Sequence, residues 1–264
     1  MGYDFTFAGQ SLSDFFGVTT ARPPREIAER DFEMIKIPGR SKLEYIDNKR
    51  YENVNMTREI GLIRRPLNAP ETIVGDIIDW LTYSQGYQEF EDTDHPGMVT
   101  YAVLTNFNEV QTLLRRYYKA KLKFSRVPYW YDKSGLQRQA AADPSVGIQL
   151  QNPYWTTSKP LIECVIKQPI NNNMQFKLRV NGTDYLYKMS RLPFYSGQER
   201  PYMYIDTEDQ EIRMQTTEAG ANIAYADEAM PEQFEEYYLN SVSIYTGYPD
   251  VVTALYVTPR WRCL

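Results

Sequence analysis

An Asn-Gly pair at residues 181–182 lies between two segments in which apolar and polar residues alternate. The apolar positions before it are Phe176, Leu178 and Val180, and Tyr185-Leu186-Tyr187 follows it. A two-residue type I′ turn requires positive φ at both central residues, which Asn and Gly tolerate. The pair therefore predicts a β-hairpin, and it constrains this part of the chain to an antiparallel sheet.

Similar short alternating segments recur through the second half of the chain. They lie at residues 162–166, 202–206, 211–215, 241–246 and 251–258. Turn residues separate them, and no good helical pattern lies between them. Strands at spacings of about 8–12 residues are typical of an antiparallel β-sandwich.

The first half of the chain contains one segment with helical periodicity. Ile73, Ile77 and Leu81 recur at spacings of four within residues 71–84, and the acidic residues of the segment fall on the opposite side. Such a stripe is typical of a helix lying on a sheet. A helix is therefore predicted here, with Gly86 as a stop signal.

A basic stripe follows from strict alternation in residues 118–124. Lys119, Lys121 and Lys123 share one side of the predicted strand. We interpret this side as solvent-exposed, since lysines keep sheet surfaces from aggregating. Contact with nucleic acid or with an acidic neighbouring subunit is the alternative, which Arg115-Arg116 would support.

Charge and composition exclude several classes of protein. The chain has 264 residues, with 29 Lys and Arg against 34 Asp and Glu, and a net charge of −5, unlike a basic nucleic-acid binder. No apolar run approaches the length of a membrane span, and the N-terminus lacks a signal-peptide pattern. Two cysteines predict packed thiols of a reducing cytosol. The 22 tyrosines against 11 phenylalanines fit either a β-rich protein or a β-rich protein with extensive contact surfaces.

Composition also suggests two domains. Residues 133–143 are polar and alanine-rich, and Pro144 follows, so a linker is expected at about 133–146. We predict an N-terminal domain over residues 1–140 and a C-terminal domain over 141–264.

Catalytic and metal-binding patterns are not found. His95, the single histidine, lies in an acidic turn and is interpreted as an exposed loop residue rather than a catalytic base. The acidic cluster at 206–211 is better explained as a solvated hairpin turn than as a calcium site or a glycosidase pair. Aromatic residues at 129–131 and 154–155 are more typical of cores and interfaces than of ligand stacking. The sequence predicts no enzyme activity, no cofactor and no metal.

Several short motifs together carry a family resemblance. The first is Ile37-Pro38-Gly39-Arg40, which predicts a type II turn because Pro suits its second position and Gly its third. The others in the first half are Tyr45-Ile46-Asp47-Asn48, Arg50-Tyr51-Glu52-Asn53, the helix around Ile77-Ile78-Asp79-Trp80-Leu81, and Phe124 with Pro128. In the second half they are Asn152-Pro153 before Pro160, Tyr204-Ile205-Asp206, and Thr258-Pro259-Arg260-Trp261-Arg262. Their order over nearly the whole chain resembles the distal tail proteins, called Dit, of long-tailed phages of Gram-positive bacteria.

The resemblance implies a fold and a role. The fold would be mostly β, with an N-terminal β-sandwich carrying one flanking helix and a hairpin, related to tail-tube proteins, and a C-terminal galectin-like antiparallel sandwich. Six copies would form a ring at the distal end of the tail, assembled in the host cytoplasm. Its partners would be the tail tube protein, the tail-tip hub or tail-associated protein and a receptor-binding protein, with DNA only passing through the lumen and no membrane insertion. The candidate structural or interface positions are Pro38, Gly39, Arg40, Tyr51, Trp80, Trp130, Arg260 and Trp261.

Two other functions stay open. The first is a carbohydrate-binding module for host-cell surfaces, although the second half lacks the histidine that galectins use. The second is a glycosidase with paired carboxylates, which would use Asp206.

Overall fold

The computed structural model describes residues 3–15, 17–63, 70–114, 117–166, 174–180, 183–189, 202–209, 211–215, 223–225, 242–246 and 252–264. The chain divides into two compact units: an N-terminal unit of Met1–Trp130 with Leu264, and a C-terminal unit of Tyr131–Cys263. The domain boundary at residue 140 stays a prediction. Within the described ranges, no helix combines the length and apolarity needed to cross a membrane.

The N-terminal unit is built on an antiparallel sheet with one helix. Its strands are β1 (Phe5–Phe7), β2 (Gln10–Ser11), β3 (Gly17–Thr19), β4 (Arg30–Ile35), β5 (Glu44–Tyr51), β6 (Val54–Ile63), β7 (Gln88–Asp92), β8 (Met98–Leu114) and β9 (Tyr117–Arg126), and the helix α1 is Pro70–Tyr83. A short 3-10 helix, Leu12–Phe15, follows β2. Seven strands follow the order β2-β1-β7-β8-β9-β6-β3, while β4 and β5 form a separate two-stranded sheet.

The core of this unit is aromatic. Phe5 lies 5.4 Å from Phe90 and 6.2 Å from Trp80 between ring centroids, and Phe7 lies 5.3 Å from Phe124. The helix predicted at 71–84 is confirmed as α1. It buries Ile77, Trp80 and Leu81, so the helical periodicity placed the correct side of this segment inward.

The alternation predicted for residues 118–124 is confirmed in β9. Leu122 and Phe124 are fully buried, whereas Lys119 and Lys121 are about half exposed and lie 4.0 Å from Glu59 on β6. The lysine side of β9 is therefore exposed, as the solvated interpretation predicts. Arg115-Arg116 lies outside the described residues.

The C-terminal unit begins within β10 (Trp130–Asp132) and contains two sheets. The other strands are β11 (Gln139–Ala140), β12 (Ile148–Leu150), β13 (Leu161–Ile166), β14 (Met174–Val180), β15 (Thr183–Met189), β16 (Tyr202–Asp206), β17 (Glu211–Gln215), β18 (Ile223–Tyr225), β19 (Val242–Thr246), β20 (Val252–Thr258) and β21 (Arg262–Cys263). One sheet has the order β11-β20-β13-β16-β17-β18 and the other β12-β19-β14-β15. The strands expected from alternation in the second half are thereby confirmed.

Both sheets contribute to one hydrophobic core. Leu150 and Leu178 of the four-stranded sheet cluster with Ile162, Ile205 and other residues of the six-stranded sheet. Val180 pairs with Thr183, so β14 and β15 form the predicted hairpin; its Asn181-Gly182 turn lies outside the described residues. The chain is mostly β, as expected. The galectin-like character of this unit stays a prediction.

The segment expected to be a linker is folded into the C-terminal unit. Gln139 and Ala140 pair with Val257 and Tyr256 of β20, and a Cβ added to Gly135 would lie 2.5 Å from the backbone nitrogen of Trp261. Polar, alanine-rich composition resembles a linker, but tertiary pairing with the C-terminal strands orders this segment.

Candidate interaction surfaces

The hairpin of β4 and β5, which we call the arm, carries apolar side chains on both faces. Met34 pairs with Tyr45, and Phe32 lies two residues away on the same face. Ile35 and Ile46 lie on the opposite face, since adjacent positions of a strand point in opposite directions.

These apolar side chains are exposed to solvent. Met34 is 58% exposed, and Phe32, Tyr45, Ile35 and Ile46 are each exposed by 42–48%. A two-stranded hairpin is marginally stable alone in water, and contiguous apolar surface marks an interaction site. The arm is therefore a candidate contact surface.

Ion pairs between the two strands hold the base of the arm. Arg30 pairs with Asp47, and Arg50 pairs with Asp31. Hydrogen bonds from Asn48 and Arg50 lower the pKa of Asp31, and the hydrogen bond from Arg30 lowers the pKa of Asp47. These contacts fix the register of the hairpin.

The tip of the arm is a tight turn at residues 37–40, as predicted. The Arg40 amide donates to the Ile37 carbonyl oxygen at 3.1 Å, and Gly39 has φ of +83°. Positive φ at the third residue is the mark of a type II turn and favours glycine there. Pro38, Gly39 and Arg40 are all exposed, so the turn is presented to solvent.

A second surface is a groove of about 810 Å³ between α1 and the turn from β1 to β2. Trp80 forms its inner wall, and Tyr83 and Tyr87 lie along its side. Asp76 and Asp79 project from the same side of α1, because residues three apart on a helix are neighbours. The groove thus combines aromatic rings with carboxylates.

Trp80 ties α1 to the first strand. Its indole Nε1–H donates to the Phe7 carbonyl oxygen at 2.8 Å, and its ring stacks on Phe15 with centroids 4.7 Å apart. The side chain is only 6% exposed. Trp80 therefore supports the groove from within the core.

In the C-terminal unit, buried Asp206 and Arg260, whose side chain is 19% exposed, form an ion pair that we call the clasp. The two guanidinium Nη atoms donate to the two carboxylate oxygens at 2.6 and 2.8 Å. Burial raises the pKa of Asp206, but hydrogen bonds and charge from Arg260, with the Asp209 and Glu208 amides, outweigh it and hold the pKa below its ordinary value. β16 and β17 pair on either side of the turn predicted at 206–211, of which Gln210 lies outside the described residues. Asp206 is buried rather than solvated as expected, because Arg260 compensates its burial.

Trp155 is fully exposed on a loop of the C-terminal unit. The Asn152 side chain accepts from the Tyr154 amide at 2.9 Å and donates to the Thr156 carbonyl oxygen at 2.8 Å. The Tyr154 hydroxyl donates to Asp132 at 2.7 Å. These bonds hold the backbone on either side of Trp155, and the indole itself projects into solvent.

Two solved structures resemble the whole chain, whereas no protein-family model and no curated protein matches it. The crystal structure of the Dit protein of phage SPP1, described as a paradigm of the hub adsorption apparatus in phages that infect Gram-positive bacteria, covers 97% of this chain and 98% of its own, at 12% identity and a TM-score of 0.63. The structure of the phage p2 baseplate in its activated conformation with Sr covers 97% of this chain and 96% of its own, at 9% identity and a TM-score of 0.48. This chain has a Dit-like fold. The resemblance inferred from the motifs is therefore confirmed at the level of the fold.

The candidate interface positions of the N-terminal unit differ in their exposure to solvent. Tyr51 closes the base of the arm, with its ring 6.0 Å from that of Tyr129. Trp130 is buried, and its ring stacks on His95 with centroids 4.0 Å apart. Trp80 and Trp130 are thus core residues, and among the predicted positions only the turn at 37–40 is fully presented to solvent.

Arg260 forms the clasp with Asp206, and Trp261 follows it in the chain. Trp261 is buried, and Arg260 adopts a φ of +55° while its amide donates to the Gly135 carbonyl oxygen at 2.7 Å. These residues hold the end of the chain against the start of the unit. Their role as interface positions stays a prediction.

The residues considered for chemistry pack against other side chains. His95 is held by Asp92, with 2.7 Å between His95 Nδ1 and the carboxylate, and its stacking on Trp130 makes it less exposed than expected. Burial raises the pKa of the Cys164 thiol to about 12. Among the described residues, no group of His, Cys, Asp and Glu side chains is placed to hold a metal ion.

Sequence reasoning missed a buried charge network in the N-terminal unit. Arg58 donates to the Tyr3 hydroxyl at 2.9 Å and to Glu26 at 3.1 Å, and Tyr3 donates to Asp92 at 3.0 Å. Arg58 lies between Met56 and Ile60 on the inward side of β6. An arginine at a position where alternation predicts an apolar residue was the sequence feature that could have indicated this buried network.

Proposed function

We propose that this chain is a structural protein of a phage tail tip, in which six copies form a ring that joins the tail tube to the host-attachment apparatus. The observation that carries the proposal is the arm, a hairpin with exposed apolar side chains on both faces. Covering such a hairpin with a second copy would bury apolar surface that is costly to leave in water.

The Dit-like fold supports this assignment. The SPP1 protein, whose fold this chain shares, is described as a hub of an adsorption apparatus. A contact between two different surfaces of identical subunits generates a ring when its rotation closes. In the virion, the ring would contact the tail tube protein, the tail-tip hub or tail-associated protein and a receptor-binding protein, and DNA would pass through its lumen. The role is structural and requires no catalytic step.

The proposal is tested by the mass of the purified chain. Light scattering coupled to size exclusion is expected to give about 185 kDa, six copies of 30.9 kDa, with sixfold rings in negative stain. The arm variant Phe32→Ser with Met34→Ser and Tyr45→Ser is expected to be monomeric, because it removes the apolar side chains of one face.

A matched control removes an exposed apolar side chain elsewhere. Val146 is 74% exposed in the C-terminal unit, and Val146→Ser should leave the mass unchanged. A wild-type chain that stays monomeric up to about 100 µM would contradict the proposed self-association. An arm variant that assembles like the wild type would show that another surface forms the contact.

A carbohydrate-binding function is the second candidate, and the exposure of Trp155 favours it. An indole exposed to solvent can stack on a sugar ring. Titration with cell-wall oligosaccharides should then show binding that Trp155→Ala abolishes and Trp155→Tyr largely retains. The absence of binding to a panel of such oligosaccharides would exclude this function.

A further inference from the structure

The groove of the N-terminal unit is uniformly acidic along its described lining. Asp76, Asp79 and Glu89 border it, and no lysine or arginine does. All three carboxylates are exposed, and none forms an ion pair with a described residue. The carboxylates of the groove are therefore available to a cation.

Aromatic rings complete the groove. Tyr83 is 89% exposed and Tyr87 is about half exposed, while Trp80 forms the inner wall. Rings and carboxylates at one place favour lysine and arginine side chains, which pair with the acids and lie over the ring faces. The chemistry of the groove thus specifies a basic segment with apolar neighbours.

The tip of the arm has this chemistry. Between Glu33 and Glu44 the chain carries exposed Lys36, Arg40 and Lys42 and no acidic residue. Arg40 lies 3.5 Å from Glu44, whereas Lys36 and Lys42 form no ion pair with a described residue. Exposed Ile35 and Leu43 flank the turn. The tip is the most concentrated basic segment of the arm, and its turn at 37–40 makes it a compact projection.

We propose that the groove of one copy receives the arm tip of a second copy. This inference rests on the self-association proposed above and identifies the two surfaces that meet. The groove and the tip are separate surfaces of the same unit, so each copy would give its tip to one neighbour and receive the tip of another. The strands of the arm, at about 3.3 Å per residue, extend roughly 20 Å to reach that neighbour. A head-to-tail contact of this kind forms a ring when the rotation between neighbouring copies closes.

Charge reversal on each side provides the test. The groove variant is Asp76→Lys with Asp79→Lys, and the tip variant is Lys36→Glu with Lys42→Glu. Each variant alone places like charges against each other in every contact. Sedimentation velocity is expected to show self-association weakened at least about 100-fold for each.

An equimolar mixture of the two variants is the decisive measurement. In a ring that alternates the two variants, there are two kinds of contact. In one, the lysine groove of the groove variant receives the glutamate tip of the tip variant. In the other, the native groove of the tip variant receives the native tip of the groove variant. All contacts are then complementary, so the mixture should assemble like the wild type. A single chain with all four substitutions should also assemble.

A control separates this contact from a general effect of charge. Lys123→Glu with Lys159→Glu changes the net charge as the tip variant does, at positions outside the groove and the arm, and should leave assembly unchanged. Circular dichroism confirms that each variant is folded. Rescue in the mixture supports the proposal, whereas variants that assemble normally or mixtures that stay dissociated overturn it.

The outcome is distinguishable from failure of the proposed function. If the serine variant of the arm dissociates while both charge-reversed variants assemble, self-association stands and the pairing of groove and tip is wrong. If the wild-type chain itself stays monomeric, both proposals fail.

Discussion

Replacement of Trp80 by alanine is expected to destabilise the N-terminal unit by about 3–5 kcal/mol. The substitution removes a buried indole that stacks on Phe15 and donates to the Phe7 carbonyl oxygen, and it leaves a cavity between α1 and the sheet. Urea unfolding followed by far-ultraviolet circular dichroism measures this loss. Trp80→Phe should cost less, since a ring still fills most of the space while the hydrogen bond is lost.

The chain provides its own control for this experiment. Trp155 is the same residue type but is fully exposed, so Trp155→Ala should change the free energy of unfolding by no more than about 0.5 kcal/mol. Equal losses for Trp80→Ala and Trp155→Ala would contradict the packing described for α1.

Replacement of Asp206 by alanine is expected to destabilise the C-terminal unit by about 3–5 kcal/mol. Asp206 is 2% exposed and neutralises Arg260 through two hydrogen bonds, so its removal leaves the largely buried guanidinium of Arg260 without its main partner. Its carboxylate also accepts from the Glu208 and Asp209 amides in the turn. Asp209→Ala, in the same turn but exposed, is the matched control and should be close to neutral.

The contribution of Asp206 has a defined pH dependence. The pKa of Asp206 is lower in the folded chain than in the unfolded chain. The clasp therefore stabilises the folded chain fully above the unfolded pKa of about 4, and this stabilisation is lost as the pH falls towards the folded pKa. The free-energy difference between the wild type and Asp206→Asn should therefore shrink by about 1.4 kcal/mol per pH unit below about pH 4. A difference that is constant from pH 5 to about pH 2.5 would show that the carboxylate is not stabilised by Arg260.

Local periodicity accounts for the elements that sequence alone predicts correctly. The alternation in β9, the helical spacing of Ile77 and Leu81, and the turn at Gly39 each involve residues fewer than ten positions apart. Such patterns follow from the two-residue period of a strand, the 3.6-residue period of a helix and the positive φ that glycine permits. They can therefore be interpreted largely without knowing which segment packs against them. The order of the motifs likewise indicated the Dit-like fold that the structural comparison supports.

Contacts between side chains that are distant in the sequence were not predictable in the same way. Asp206 meets Arg260 from 54 residues away, and Arg58 meets Tyr3 from 55 residues away. From the sequence alone, Asp206 was interpreted as a solvated turn residue, because nothing local shows that an arginine will be brought against it. The network of Arg58 depends in the same way on the register of β6 against the rest of its unit.

The sequence by itself determined that this chain is mostly β, carries a helix near residue 77 and presents a glycine turn between two short strands. Tertiary structure decided which side chains are covered. It buries Trp80, Trp130 and Trp261 and leaves Trp155 in solvent, although all four are the same residue type. It also leaves both faces of the arm uncovered. Burial depends on which elements pack together, and that is fixed by contacts between distant segments rather than by local spacing.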